Sequence, residues 1–467
     1  MNYNLFDKEV YTNRRRILNE KVASGLILLL GNEDSSMNYA DNCYPFRQDS
    51  TFLYYFGLDL PGLAAIIDVD SGREVLFGRV PSMDDIIWTG PLPSLQDLAL
   101  LVGVENTRPY MQLESVLQAA TSKGQVIHFL PPYRPENKIK LAEWLQVPFT
   151  AIQSSASLPL IKAVISQREV KEPAEVEAIN DAVSISADMH LTAIQYARPG
   201  MMEYEVAAKV EEVALAANGR LSYPIILTIN GQTLHNHYHG NRIEKGQVIL
   251  MDAGAESALH YAGDLTRTFP VGSTFTSRQK EVYNIVLNAL NHAVGLLRPG
   301  IQFKEVHTQA CIKLMEGLKE LNLVKGDAAE AVAAGAHTLF FQCGLGHMMG
   351  LDVHDMEDLG EQYIGYTDAL TKSTAFGWKS LRLGKELKEG FVLTVEPGIY
   401  IIPELVDRWK AENRLSDFIN YSVLESYRNF SGIRIEDNFL ITAEGSEKLG
   451  KHLVKTVPEI EALRGQK

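Results

Sequence analysis

Residues 246–271 read GQVILMDAGAESALHYAGDLTRTFPV, and the fold turns on how that stretch is parsed. An apolar run ends on Asp252, a Gly- and Ala-rich segment interrupts it, and a second run leaves from Asp264. Short runs bounded by turn residues read as a strand, a turn and a returning strand. Such a hairpin brings two carboxylates side by side on one face. Three later stretches also set a polar residue inside a run that otherwise reads as buried. They are FFQCGLGHMMGLDVHD (340–355) with His347 and His354, FVLTVEPGIYII (391–402) with Glu396, and SGIRIEDNFLIT (431–442) with Glu436. A buried carboxylate without a partner costs several kcal/mol, so four of them need cations or basic side chains. Arg267 and Arg434 stand nearby, which leaves a salt-bridged core as one reading. Two basic residues do not neutralise four carboxylates, however, and they leave His347 unexplained. Two divalent cations would do both, and an oxygen-rich set with one nitrogen suits Mn²⁺, Co²⁺ or Zn²⁺.

Upstream, Arg198-Pro199-Gly200 with Glu205-Val206 returns as Arg298-Pro299-Gly300 with Glu305-Val306, an offset of 298 − 198 = 100. Helical spacing precedes each copy (177–197 and 278–297) and follows it (205–217 and 305–318), with strand-like runs afterwards. Duplication of an α+β half is the expectation, with a site in the cleft between the halves. Pro173 opens the first of these helices and marks a domain boundary, giving domains over 1–170 and 171–467. In the first domain, LILLL (26–30) and the stretch from STFLYYF (50–56) to residue 78 read as short strands, and 95–102 and 139–145 as helices.

The 467 residues are enough for two to four domains. A balance of 44 Lys and Arg against 58 Asp and Glu gives 44 − 58 = −14, which repels phosphate backbones and argues against a nucleic-acid partner. Cys43, Cys311 and Cys343 are odd in number and far apart, the thiol usage of a reducing compartment. The N-terminal basic residues lack the apolar run of a secretory signal, and no apolar stretch is long enough to cross a bilayer, so a cytoplasmic protein is expected.

Taken in order, DAG with GDLTRTFPV, GLGHMMGLDVHD, TVEPGIY and GIRIED resemble the signatures of the pita-bread metallopeptidases that cleave Xaa-Pro bonds, Xaa-Pro aminopeptidase (aminopeptidase P) and prolidase. NYADNCYPFRQDSTFLYYFGL (38–58), with Phe46, Arg47 and Gln48 ahead of an aromatic run, is similar to that family's N-terminal domain. The resemblance implies an α/β N-terminal domain and an α+β pita-bread catalytic domain with internal pseudo-twofold duplication. It implies two divalent cations, Mn²⁺ first with Co²⁺ or Zn²⁺ as alternatives, on Asp252, Asp264, His347, Glu396 and Glu436, with Asp264 and Glu436 bridging. A hydroxide shared by the cations would attack the scissile carbonyl. Glu396 would carry the proton to the leaving prolyl nitrogen, and His354 would stabilise the tetrahedral intermediate.

His235, ending the NGxxLH-like stretch 230–235, is implied to line the substrate pocket, although His237 or His239 could take that place. Arg434 and Arg382 are expected on the substrate. Arg382, 396 − 382 = 14 residues before Glu396, stands in a Ser-Leu-Arg context that resembles the prolidase position whose guanidinium binds a dipeptide's carboxylate. Trp88 resembles a tryptophan that reaches a neighbouring subunit's active site, which implies a homodimer or larger homo-oligomer.

The activity implied is removal of the first residue from Xaa-Pro peptides, with Xaa-Pro dipeptidase as the alternative. A metal-free creatinase-like enzyme and a non-catalytic binding module are remoter, since both predict lost ligand positions and all five are here. The chain departs from the family pattern in three places. The two aspartates are 264 − 252 = 12 apart rather than eleven, Cys343 replaces a common histidine, and the 436 − 396 = 40 residue span resembles the longer prolidase insertion. Cys343 reads as a small packing residue, or else as a thiol acting beside the metals.

Overall fold

The computed structural model describes residues 4–91 and 93–466. The chain divides into two units: one runs to Arg168 and includes Asp358–Gly360, the other comprises Glu169–Glu357 and Glu361–Lys467. Among the described residues no helix is long and apolar enough to cross a membrane.

In the first unit a five-stranded sheet runs in the order Asn106–Pro109, Arg73–Gly78, Ala64–Asp68, Leu26–Leu30, Ile127–His128. The three central strands are antiparallel and the two outer ones join them in parallel, so the sheet is mixed. Leu26, Leu28, Ile66 and Phe77 pack one face against Leu113, Leu117 and Leu141 of the helices Leu113–Ser122 and Pro135–Leu145. STFLYYF, expected as a strand, is instead the helix Ser50–Phe56, buried at all seven positions. Periodicity does not separate a short buried strand from a short buried helix, so the ends decide. The Asp49 side chain accepts from Phe52 N, and Gly57 closes the helix at φ 65, a left-handed conformation that a side chain disfavours.

In the second unit both halves of the repeat open as helix pairs. Helix Pro173–Tyr196 turns through Gly200 (φ 91) into Glu203–Ala216, and Ser277–Val294 turns through Gly300 (φ 86) into Phe303–Glu320. Each turn is tied to the segment that leads into the following strand: Gly200 N donates to Ile243 O and Gly300 N to Leu387 O, at 2.7 and 2.9 Å. The strands Val248–Ala253 and Val392–Val395 follow. The turns are 300 − 200 = 100 apart but their acceptors are 387 − 243 = 144 apart, so the second half holds 44 additional residues between its helices and its strand. Since 396 − 252 is also 144, Asp252 and Glu396 occupy equivalent places.

Val248–Ala253 pairs with Leu265–Pro270 and Ile226–Thr228, and Val392–Val395 with Asp437–Ile441, which in turn pairs with Ser446–Lys448. A bridge between Thr266 and Glu436 links the two sets of strands. The second unit is an α+β pita-bread domain with a duplicated plan.

Candidate metal centre

The hairpin that opened the sequence reading positions the first two carboxylates. Asp252 stands opposite Thr266 in an antiparallel pair, and alternation puts Asp264, two residues before Thr266, on the same face. The spacing of twelve is absorbed at the tip, where Ser257 N donates to Tyr261 O, His260 N donates to Ser257 O, and His260 takes φ 68. Below it the bridge from Glu256 to Ala262 keeps the strands in register. Glu396 follows the strand Val392–Val395, and Glu436 precedes its partner Asp437–Ile441. His347 comes from the enlarged segment of the second half, its N–H donating to Thr394 Oγ1 at 3.1 Å.

These five side chains line one cavity of about 460 Å³. Donor atoms of Asp264, His347 and Glu436 lie within 4.8 Å of one another. His347 Nε2 is 3.3 Å from Asp264 Oδ2 and 3.8 Å from Glu396 Oε1. Tyr223 Oη is 2.6 Å from Asp252 Oδ1 and 2.5 Å from Asp264 Oδ1. Arg434 is buried and spends its donors on Asp252 Oδ2 (2.5 Å), Tyr400 Oη (2.8 Å) and Thr266 Oγ1 (3.2 Å), and Thr266 Oγ1 in turn donates to Glu436 Oε2 (2.7 Å). Arg267 points its Nη2 at Asp437, not at the cavity carboxylates, 2.7 Å away.

The electrostatics are those of a crowded acidic pocket. Burial pushes Glu396 up to about 7, opposed by His347 and Arg434. Glu436 is held well above the usual carboxylate range by burial and by the charges of Asp264 and Glu396. Asp252 is raised by burial despite Arg434. Burial would raise Asp264 too, but the hydrogen bond and charge of His347 hold it below the ordinary value.

The donor set fits divalent cations on observations within the pocket. His347 Nδ1 lies 3.0 Å from Met348 O and donates there, so Nε2 turns a lone pair toward two carboxylates, an arrangement satisfied by a proton or a cation between them. Glu436 Oε1 is buried with no hydrogen-bond partner among the described residues. One arginine contact, at Asp252, serves four carboxylates.

His354, His235, Arg382 and Cys343 line the same cavity. The rings of His354 and His347 meet edge-on, with centroids 4.4 Å apart. His237 lines the cavity as well as His235, whereas His239 Nε2 turns to Ile225 O at 3.1 Å. Arg382 Nε lies 3.4 Å from Glu357 Oε2 and 3.7 Å from Glu361 Oε1. Burial, with the Glu396 charge, pushes the Cys343 thiol up to about 12, so it is a thiol and not a thiolate. Trp88 belongs to the first unit, on the helix Met83–Thr89, and is 86% exposed.

Two contributors escaped the sequence reading. Tyr223 is one, and the only trace it leaves is an aromatic ahead of Pro224 and an apolar run. The other is Glu357, whose Oε2 lies 2.6 Å from His354 Nδ1 and whose carboxyl the histidine contact holds down to about 2. Its signal was an acidic residue one turn beyond His354.

A duplicated α+β domain that gathers four carboxylates and an imidazole around one cavity has the donor set of a metal-dependent hydrolase. The Metallopeptidase family M24 profile matches residues 177–443 and the Aminopeptidase P N-terminal domain profile residues 11–128. The chain belongs to metallopeptidase family M24, in its aminopeptidase P and prolidase branch, whose members work with divalent metal ions. It is 32% identical to the Xaa-Pro aminopeptidase of Escherichia coli (strain K12), over 98% of this chain and 97% of that one. Its identity to the Xaa-Pro dipeptidase of Homo sapiens is 30%, over 94% and 88%. Its fold superposes with a TM-score of 0.81, at 30% identity and 99% coverage of both chains, on aminopeptidase P from E. coli with the inhibitor Pro-Leu.

Proposed function

We propose that this chain is an Xaa-Pro aminopeptidase, which removes the first residue from peptides of any length whose second residue is proline. The observation that carries this reading is the environment of Arg382. The dipeptidase alternative needs a guanidinium free to clamp a terminal carboxylate, and the Nε edge of Arg382 already faces Glu357 and Glu361. The relative solved with the inhibitor Pro-Leu is an aminopeptidase P, and it matches this chain over 99% of both lengths. The dipeptidase reading keeps one support, that Arg382 lines the cavity.

Asp252, Asp264, His347, Glu396 and Glu436 would hold two divalent cations, and this oxygen-rich set favours Mn²⁺ over thiophilic ions. When bound, such cations polarise the scissile carbonyl and acidify the attacking water. Proline's tertiary amide offers no N–H for an ordinary peptidase to grip, so orientation falls to the pocket walls. His235 and His237 supply an imidazole wall for the substrate. Glu396, which follows its strand into the cavity, is the carboxyl placed to take a proton from water and pass it to the prolyl nitrogen. Glu357 fixes His354 Nδ1 and leaves Nε2 to face the carbonyl oxygen as charge develops there. Arg434 serves the substrate indirectly, by orienting Asp252.

Product analysis tests the reading. With Xaa-Pro-Yaa-Zaa the enzyme should release free Xaa at least as readily as it does from Xaa-Pro dipeptides. Arg382→Lys should not change that result. If dipeptides are preferred, and Arg382→Lys raises their KM by roughly 10- to 100-fold while sparing longer peptides, the chain is a dipeptidase with a carboxylate clamp.

A further inference from the structure

Helix Phe303–Glu320 carries His307 and Cys311 one turn apart on its buried side, and the short helix Ala336–Leu339 brings His337 against them. One donor atom from each lies within 4.8 Å of the others, and Cys311 Sγ is 3.6 Å from His307 Nε2. The three are sealed from solvent, at 1%, 0% and 1% exposure. Their walls are aromatic: Trp378 meets both imidazoles edge-on, with centroids 4.9 and 5.5 Å away, and Phe341 lies 5.8 Å from His307. Buried polar atoms in such a setting ordinarily find partners. His307 Nδ1 and His337 Nδ1 have none among the described residues. None of the three residues lines the cavity that holds the carboxylates.

We propose that His307, Cys311 and His337 form a separate metal site in this chain, one that takes a thiophilic closed-shell cation, Zn²⁺. One thiolate and two neutral imidazoles make a soft-to-borderline donor set, which selects Zn²⁺ and rejects the oxygen-seeking Mg²⁺ and Mn²⁺. Burial keeps both rings uncharged, with His307 held down to about 3 and His337 to about 4, and a neutral ring is the form that ligates. Burial also keeps the Cys311 thiol protonated in the absence of a cation. Binding therefore exchanges a proton for the metal: the S–H bond breaks, an S–Zn bond forms, and H⁺ leaves to solvent. Zinc bonds of about 2.0–2.3 Å set tetrahedral donors roughly 3.3–3.8 Å apart, so the three side chains close in by about 1 Å around the ion.

Cobalt distinguishes this site from the carboxylate cavity, because thiolate ligation gives an intense near-ultraviolet charge-transfer band and oxygen and imidazole ligation does not. The full chain, stripped with a chelator and reloaded with Co²⁺, should show that band. It should persist in Cys43→Ser/Cys343→Ser, where Cys311 is the only thiol left, and vanish in Cys311→Ser. The double variant leaves the cluster intact and so decides the matter even if Cys311→Ser fails to fold. No band in the wild-type chain at saturating Co²⁺ overturns the proposal, as does a band lost with Cys343 or surviving the loss of Cys311. Zn²⁺ retained by the protein as purified should fall by one equivalent per chain in His337→Gln, and an unchanged content would also count against the site.

Discussion

One phenol proton cannot serve two carboxylates at once, yet Tyr223 Oη sits within hydrogen-bond reach of both Asp252 and Asp264. Its own ionisation is pushed well up by burial and by those charges, so it stays a donor throughout the working pH range. It therefore ties Asp252 to Asp264. Tyr223→Phe should lower divalent-metal affinity by roughly 10- to 100-fold and leave the fold intact, measurable by competition against a chromogenic chelator. Unchanged affinity would reduce the hydroxyl to packing. Asp264→Asn and Glu436→Gln should go further, losing both metal and hydrolysis while circular dichroism stays native. The five carboxylate and imidazole positions were legible because a charge inside an apolar run is conspicuous. Tyr223 and Glu357 were not, since tyrosine beside proline and glutamate on a loop are ordinary until distant chain folds over them. Tyr223 meets its partners 29 and 41 residues on.

At the level of elements, the hairpin around Asp252 and Asp264 shows what spacing encodes and what it conceals. Alternation along a strand specified the shared face, but the extra residue could be assigned to the tip only once His260 was seen at φ 68. The helix Ser50–Phe56 is the opposite case, an apolar run whose caps, not its period, carried the information. Beneath the hairpin, helix Pro173–Tyr196 presents His190, fully buried, with Nε2 3.1 Å from Ala253 O. Burial, aided by the charge of Arg267, holds this imidazole down to about 4 from 6.5. The unfolded chain takes up its proton below 6.5 and the native chain only below about 4. The stability contribution is therefore complete above 6.5 and falls as the pH drops through that window, by about 2 kcal/mol at about pH 5. Urea midpoints measured across this range should slope less steeply in His190→Gln, and an equal slope would assign the acid sensitivity elsewhere.

For the molecule as a whole, the helix Met83–Thr89 buries none of its residues, with Ile87 69% and Trp88 86% exposed. An exposed apolar surface of this kind would be covered by association with a partner. A second copy of the chain is the partner we expect there, so light scattering at enzyme-active concentration should give at least twice the 52.0 kDa of one chain. Trp88→Asp should lower that mass, and a 52.0 kDa species in the wild type would contradict the expectation. The duplication was legible only in its helical half, where the offset is 100. It faded beyond because 44 extra residues shift the strands to 144, and no short motif marks that change. Those extra residues bear on something a peptidase cannot do without. Asp252 and Glu396 are counterparts, so a pocket built from the repeated parts alone would offer nearly the same surroundings to a peptide and to that peptide turned end for end. A peptide bond is not indifferent to such reversal, because its carbonyl lies on one side and its nitrogen on the other. The segment that carries His347 and His354 has no counterpart of like length in the first half, and it makes the two ends of the pocket unlike, so a peptide laid in one N-to-C direction would meet different side chains from the same peptide reversed.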